Sequence, residues 1–151
     1  MVRVLVIACT TLVLGVSSVA AQRPEDEVLK TVRSLFDGMR AKDTALMRSL
    51  FHADARLMSA ETREGVPRVS VDPLAGWLRG VAGAKEVLDE RLRDTEVRVD
   101  GNLAMVWTGY DLFVGSRHNH CGVDVFILGK TADGWKILDV ADTRRREGCK
   151  P

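Results

Sequence analysis

An α+β fold, with helices first and a mainly antiparallel sheet after them, is predicted by three features of this sequence. Val28, Leu29, Val32, Leu35, Phe36 and Met39 recur at helical spacing. From Ala84 onward the chain reads mostly as strand. The strand-like runs are separated by Asp100-Gly101-Asn102, Gly115-Ser116 and Asp133-Gly134, turn signals built on residues that tolerate positive φ. Helices followed by a meander of strands form a curved sheet wrapped over the helices.

The first helix is expected over residues 24 to 40. Pro24 suits its first position, and Glu25, Asp26 and Glu27 suit the positive end of the helix dipole. Lys42 and Asp43 break it, with Asp43 as N-cap of a second short helix through Ala45, Leu46, Leu50 and Phe51. A short strand follows at Ala55 to Met58. Residues 59 to 72 are polar and irregular, with a hairpin around Gly65-Val66-Pro67. Pro73 opens a third helix, Leu74 to Gly80, and a helical turn is expected near Lys85 to Leu88. The strands are then Leu92 to Asp100, Leu103 to Val114, His120 to Lys130 and Trp135 to Arg144.

The N-terminus has the layout of a secretory signal. Arg3 precedes an apolar run from Val4 to Val16, and small residues end at Val19-Ala20-Ala21. The apolar run is short for a membrane span, which needs about 20 residues. Cleavage is expected after Ala21, giving a signal peptide at 1–21, one domain at 22–151 and a secreted or periplasmic location. The 130 residues left are enough for a single core. With Arg3 removed, 21 basic and 21 acidic side chains balance. That balance points away from nucleic acid, which demands clustered cations, and no membrane association is expected after cleavage. Arg144-Arg145-Arg146, beside Asp142 and Glu147, reads as a solvated strand end.

Cys121 and Cys149 remain after processing, an even count in an oxidising compartment, and this points to a disulfide. Closing that loop is worth about 3 kcal/mol in the chain-entropy picture. Free thiols and a metal site that includes His118 and His120 are the competing readings. No Cys-x-x-Cys or His-x-x-x-His spacing supports zinc, so no metal is expected.

Strand parity sorts the last hairpin. With an even loop, one face carries Val123, Val125, Ile127, Leu138 and Val140. The other carries His120, Asp124, Phe126, Leu128, Trp135, Ile137 and Asp139, the mixture of carboxylate, imidazole and aromatic groups that a small-molecule pocket uses. Asp is disfavoured in strands, so Asp124 and Asp139 need a compensating role. Catalysis is one such role, and an internal salt bridge to Arg56 or Arg98 is the other.

Several segments carry a resemblance to known proteins. They are Leu50-Phe51-His52-Ala53-Asp54-Ala55, Val106-Trp107 with Tyr110-Asp111, His120-Cys121-Gly122-Val123-Asp124-Val125-Phe126, Asp133-Gly134-Trp135-Lys136-Ile137 and Asp142-Thr143-Arg144-Arg145. Together they resemble the nuclear transport factor 2-like superfamily, which includes ketosteroid isomerase and SnoaL-type cyclases. More narrowly, they resemble its secreted bacterial subgroup labelled putative lumazine-binding. The resemblance implies a cone-shaped fold, a conical cavity, and a homodimer that pairs the outer faces of the sheets. It implies no cofactor. In catalytic relatives a carboxylate or an Asp–His pair moves a proton and a Tyr or an acid stabilises an oxyanion. His120, Asp124 and Asp139 are the candidate catalytic residues here, with Tyr110 as the hydroxyl. Trp107, Tyr110, Phe126 and Trp135 are the candidate ligand contacts. Three functions follow: a secreted pocket protein for a small, partly apolar ligand, a cofactor-independent isomerase, dehydratase or cyclase, and a noncatalytic dimeric interaction module.

Overall fold

A computed structural model of the chain describes residues 23–149. The expected signal peptide and its cut after Ala21 therefore lie outside the described residues. The elements run α1 (Pro24–Ala41), α2 (Thr44–Ser49), β1 (Phe51–Arg63), β2 (Val66–Asp72), α3 (Leu74–Gly83), β3 (Leu88–Asp100), β4 (Leu103–Val114), β5 (Arg117–Thr131) and β6 (Gly134–Arg144). They form one six-stranded sheet in the order β2-β1-β6-β5-β4-β3. Every pairing is antiparallel except β1 with β6, which is parallel.

Local chemistry accounts for the helix ends. Pro24 opens α1, the three acidic residues occupy its first turn, and Lys42 closes it in the left-handed region at φ 57°. Asp43 caps α2 by accepting a hydrogen bond from the Leu46 amide at 2.9 Å. Phe51, read as helical from its spacing, instead begins β1. The Ile137 amide donates to the Leu50 carbonyl at 2.8 Å and draws the chain into the sheet. Residues 59–72 are also not irregular. They complete a long hairpin whose turn is Glu64-Gly65, both with positive φ. The turn expected near Lys85 to Leu88 is not helical, and β3 begins at Leu88.

The core lies between the concave face of the sheet and the helices. Val28, Val32, Leu35 and Phe36 of α1 meet Val106, Phe126, Leu128 and Ile137 of the sheet. Phe36 and Phe126 pack edge to face with centroids 5.9 Å apart. Among the described residues, no helix is long and apolar enough to cross a membrane.

Cys121 and Cys149 form the expected disulfide, with Cα atoms 5.7 Å apart across 28 residues of chain. It ties the C-terminal tail to β5, next to the paired backbone hydrogen bonds between Cys121 and Arg145. Cys149→Ser is expected to cost about 3 kcal/mol, lowering the melting temperature by roughly 10 °C. Calorimetry of the oxidised protein beside the variant measures this. Equal melting temperatures would mean that the bridge stabilises nothing.

Candidate functional site

A cavity of about 170 Å³ opens between the helices and the concave face of the sheet. Its helix side is apolar, built from Leu35, Phe36 and Met39 of α1 and Trp77 of α3. Its sheet side is polar. Asp72, Glu90, Asp124 and Asp142 bring four carboxyls from four different strands, and Tyr110, His120 and Arg144 complete the wall.

Asp124 and Glu90 form the centre of this wall. Asp124 is 4 % exposed. No N–H or hydroxyl among the described residues reaches its Oδ2, and the neighbouring group is the Glu90 carboxyl. Burial, the negative charge of Glu90 and a hydrogen bond to it push the Asp124 pKa well above the usual carboxylate range. Burial pushes Glu90 up to about 7, although a hydrogen bond from Asp124 acts the other way. Asp124 therefore keeps a proton and donates it toward Glu90, the carboxyl that ionises near neutral pH.

Asp142 is held differently. Its Oδ2 accepts from Arg144 Nε at 2.7 Å, while its Oδ1 is buried and has no donor among the described residues. Arg144 lines this wall while its side chain stays 44 % exposed, so it is both a cavity residue and part of the solvated strand end.

His120 lies on the cavity wall, with Nδ1 2.8 Å from Asn119 Oδ1 and its ring edge-on to Tyr110. Burial and the Arg144 charge lower its pKa, so the ring is neutral at pH 7. Tyr110 is fully buried, and its hydroxyl donates to the Thr143 carbonyl at 2.9 Å. That bond turns the phenol toward β6, so it is not the free oxyanion donor that the resemblance implies. Gly122 allows the contact, since a methyl there would collide with the Thr143 carbonyl and come within 2.7 Å of Tyr110 Cε1.

Three expected site residues stand elsewhere. The β5–β6 loop holds two residues, as parity required, and Leu128 pairs with Ile137. A bulge at Leu138 then shifts the register, so Ile127 faces Asp139 and Phe126 faces Val140. Asp139 and Val140 thus exchange faces, and Asp139 forms a two-pronged salt bridge with Arg56 at 2.7 and 2.9 Å. Asp142 takes the cavity position instead. Trp107 is on the convex face and 49 % exposed, because odd positions of β4 face away from the helices. Trp135 is buried in the core without lining the cavity, and Lys130 Nζ lies 5.6 Å from its ring. Phe126 does line the cavity. Asp139→Asn is therefore expected to leave ligand binding unchanged and to move the melting temperature by less than about 3 °C. Thermal titration with a bound ligand reads both quantities, and lost binding would return Asp139 to the site.

A second bulge, at Asn119, separates the two histidines. His120 sits opposite Leu112 and His118 opposite Phe113, so they face opposite sides of the sheet. His118 Nε2 lies 3.1 Å from Asp111 Oδ1 on the convex side. Cys121 stays near His118, since its sulfur and that of Cys149 lie within 4.8 Å of the Asp111 carboxylate. Both sulfurs are committed to the disulfide, however, and His120 alone is turned to the other face.

Glu90, Asp142 and Arg144 are absent from the sequence-based site. Leu88, Glu90 and Leu92 alternate at period two and would have signalled a carboxyl on an inward face, had β3 been extended back through that segment.

A cone of helices over a curved sheet, with a carboxyl-walled cavity inside, is the nuclear transport factor 2-like architecture. The chain belongs to the family described as putative lumazine-binding, which matches residues 23–141. A search of the curated proteins finds no match. Among solved structures, an NTF2-like protein from Cytophaga hutchinsonii aligns with TM-score 0.68 at 12% identity, covering 82% of this chain and 100% of that one. A putative dehydratase from Streptomyces avermitilis aligns with TM-score 0.61 at 19% identity, covering 81% and 96%. A putative ketosteroid isomerase from Shewanella frigidimarina aligns with TM-score 0.59 at 16% identity, covering 79% and 96%. At these identities the likeness concerns the fold alone.

Proposed function

We propose that this is a secreted pocket protein that binds a small, partly apolar ligand in the cone. The observation that carries this reading is the cavity itself: one wall is apolar and aromatic, and the other holds a few convergent polar groups. Its size narrows the ligand. An apolar cavity of about 150 Å³ takes up benzene, so about 170 Å³ suits a ring-sized body and excludes a whole steroid. The description of the family, with its reference to lumazine, agrees with a compact heterocycle.

Native mass spectrometry of protein exported by its own host tests this reading. A retained molecule of ring size is expected, together with a mature N-terminus at Gln22. Val140→Phe, which fills the cavity, should abolish retention in a folded protein. Export without any retained molecule, and no uptake from host extract, would refute a pocket function.

A second reading, a cofactor-independent isomerase, dehydratase or cyclase, is favoured by one observation. Glu90 is poised near neutral pH beside a protonated Asp124, the condition a general base requires. In that reading Glu90 moves the proton and Asp124 donates to the developing charge. Turnover should then follow the ionisation of Glu90, whereas a binding protein has no turnover to follow.

A homodimer through the convex face accompanies either reading. Trp107 is 49 % exposed there, and Met105, Val125 and Leu138 are half-buried around it. Light scattering at micromolar concentration should give twice the monomer mass, and a monomer would remove this part of the proposal.

A further inference from the structure

We infer that the ligand enters the cavity with N–H donors first: it is an amine or amidine carried on a ring-sized apolar body. The inference rests on the pocket reading above and adds the chemistry of the ligand's polar end.

Asp142 Oδ1 is a buried acceptor without a donor among the described residues. Asp124 Oδ2 receives none either, the Asp124 proton being shared with the Glu90 carboxyl, and both aspartates line the cavity. Buried acceptors without donors are costly, so a ligand that supplies N–H groups here gains more than one that supplies acceptors. The charges on the wall point the same way. Asp72 on β2, Glu90 on β3, Asp124 on β5 and Asp142 on β6 face a single guanidinium, Arg144, which Asp142 already binds. His120 is neutral, and the Tyr110 hydroxyl is spent on Thr143. The helices contribute no charge to the lining, only apolar and aromatic groups. Phe36, Phe51, Trp77 and Phe126 line the cavity and give it the aromatic surface that favours a cation or a flat ring. A carboxylate or phosphate ligand would instead face four carboxyls.

A donor that reaches Asp124 and Glu90 replaces the proton the pair shares. Binding of a cation should therefore release a proton near neutral pH and tighten as Glu90 ionises. Aromatic amidines suit this geometry because their planar N–H fork can serve two carboxyls.

Titration calorimetry with benzamidine, benzylamine, benzyl alcohol and benzoate tests the inference at pH 6 and pH 8, in two buffers of different ionisation enthalpy. The expected result is that benzamidine or benzylamine binds at least tenfold more tightly than benzyl alcohol, with benzoate weakest. Affinity for the cations should rise between pH 6 and pH 8 with proton release. The double variant E90Q/D124N should lose the preference for cations yet still bind benzyl alcohol, with circular dichroism confirming its fold. Benzoate binding as tightly as benzamidine, or cation affinity that ignores pH in the native protein, would overturn the inference. If benzyl alcohol binds while neither cation does, the inference fails and the pocket reading stands. If none of the four binds at millimolar concentration, both fail.

Discussion

Gly122→Ala is expected to destabilise the protein by about 4 kcal/mol, enough to leave little soluble material at 37 °C. The added methyl would overlap the Thr143 carbonyl and lie 2.7 Å from Tyr110 Cε1. Neither neighbour can move cheaply. The Thr143 carbonyl accepts from Tyr110, and the flanking backbone is held by the Cys121–Arg145 pair, whose two hydrogen bonds are each 3.0 Å. The disulfide anchors the same stretch. Gly129→Ala provides the control, because its methyl would meet only the tip of the Leu138 side chain at 3.2 Å. Urea midpoints for the two variants should therefore differ widely, with Gly129→Ala close to the native protein. Similar midpoints would mean that β5 and β6 are not pressed together at Gly122.

Glu90→Gln is expected to stabilise the protein at pH 8 and to do nothing for it at pH 4. Glu90 has a folded pKa of about 7 against an unfolded value of 4.5, so the fold favours its protonated form. That stabilisation is present in full below pH 4.5 and is lost as the pH rises through 7, a swing of up to about 3 kcal/mol. Asp124 shifts in the same direction and adds to it. Glutamine keeps the shape and cannot ionise, so the loss disappears. The native protein alone would not reveal this effect cleanly. Asp89, despite its own desolvation, is held below the usual range by Arg40 and Arg91, so it loses stability as the pH falls. The difference between native and Glu90→Gln melting curves from pH 4 to pH 8 isolates Glu90. A flat difference would mean that the Glu90 carboxyl is solvated and not part of the buried pair.

The two results bear on function together. A carboxyl pair that weakens the fold at neutral pH carries a cost in stability, of the kind that groups meeting a ligand or a reacting proton commonly impose. The Gly122 contact fixes the wall from the other side by aligning β6, which carries Asp142 and Arg144 into the cavity.

Much of this was legible from local signals. The apolar stripe of α1, the Asp43 cap, the span of β4 and the turns at Gly101 and Gly115 all follow from short-range chemistry. The Cys121–Cys149 bridge followed from composition and an expected compartment. His120, Asp124, Tyr110 and Phe126 came together on one cavity because alternation holds wherever a strand is regular.

What the sequence determined by itself was the α+β order of elements, the disulfide partners and one face of β5. The tertiary structure alone decided which carboxyls share the cavity. Period-two reasoning fails at a bulge, since one extra residue turns every later side chain to the opposite face. The bulge at Leu138 sent Asp139 outward to Arg56 and brought Asp142 inward, and the one at Asn119 parted His118 from His120. Glu90 reached Asp124 across β4, and β1 joined β6 in parallel, through pairings between segments far apart in the chain. Such contacts are selected by burial and hydrogen bonding over the whole sheet, and no local window of residues encodes them.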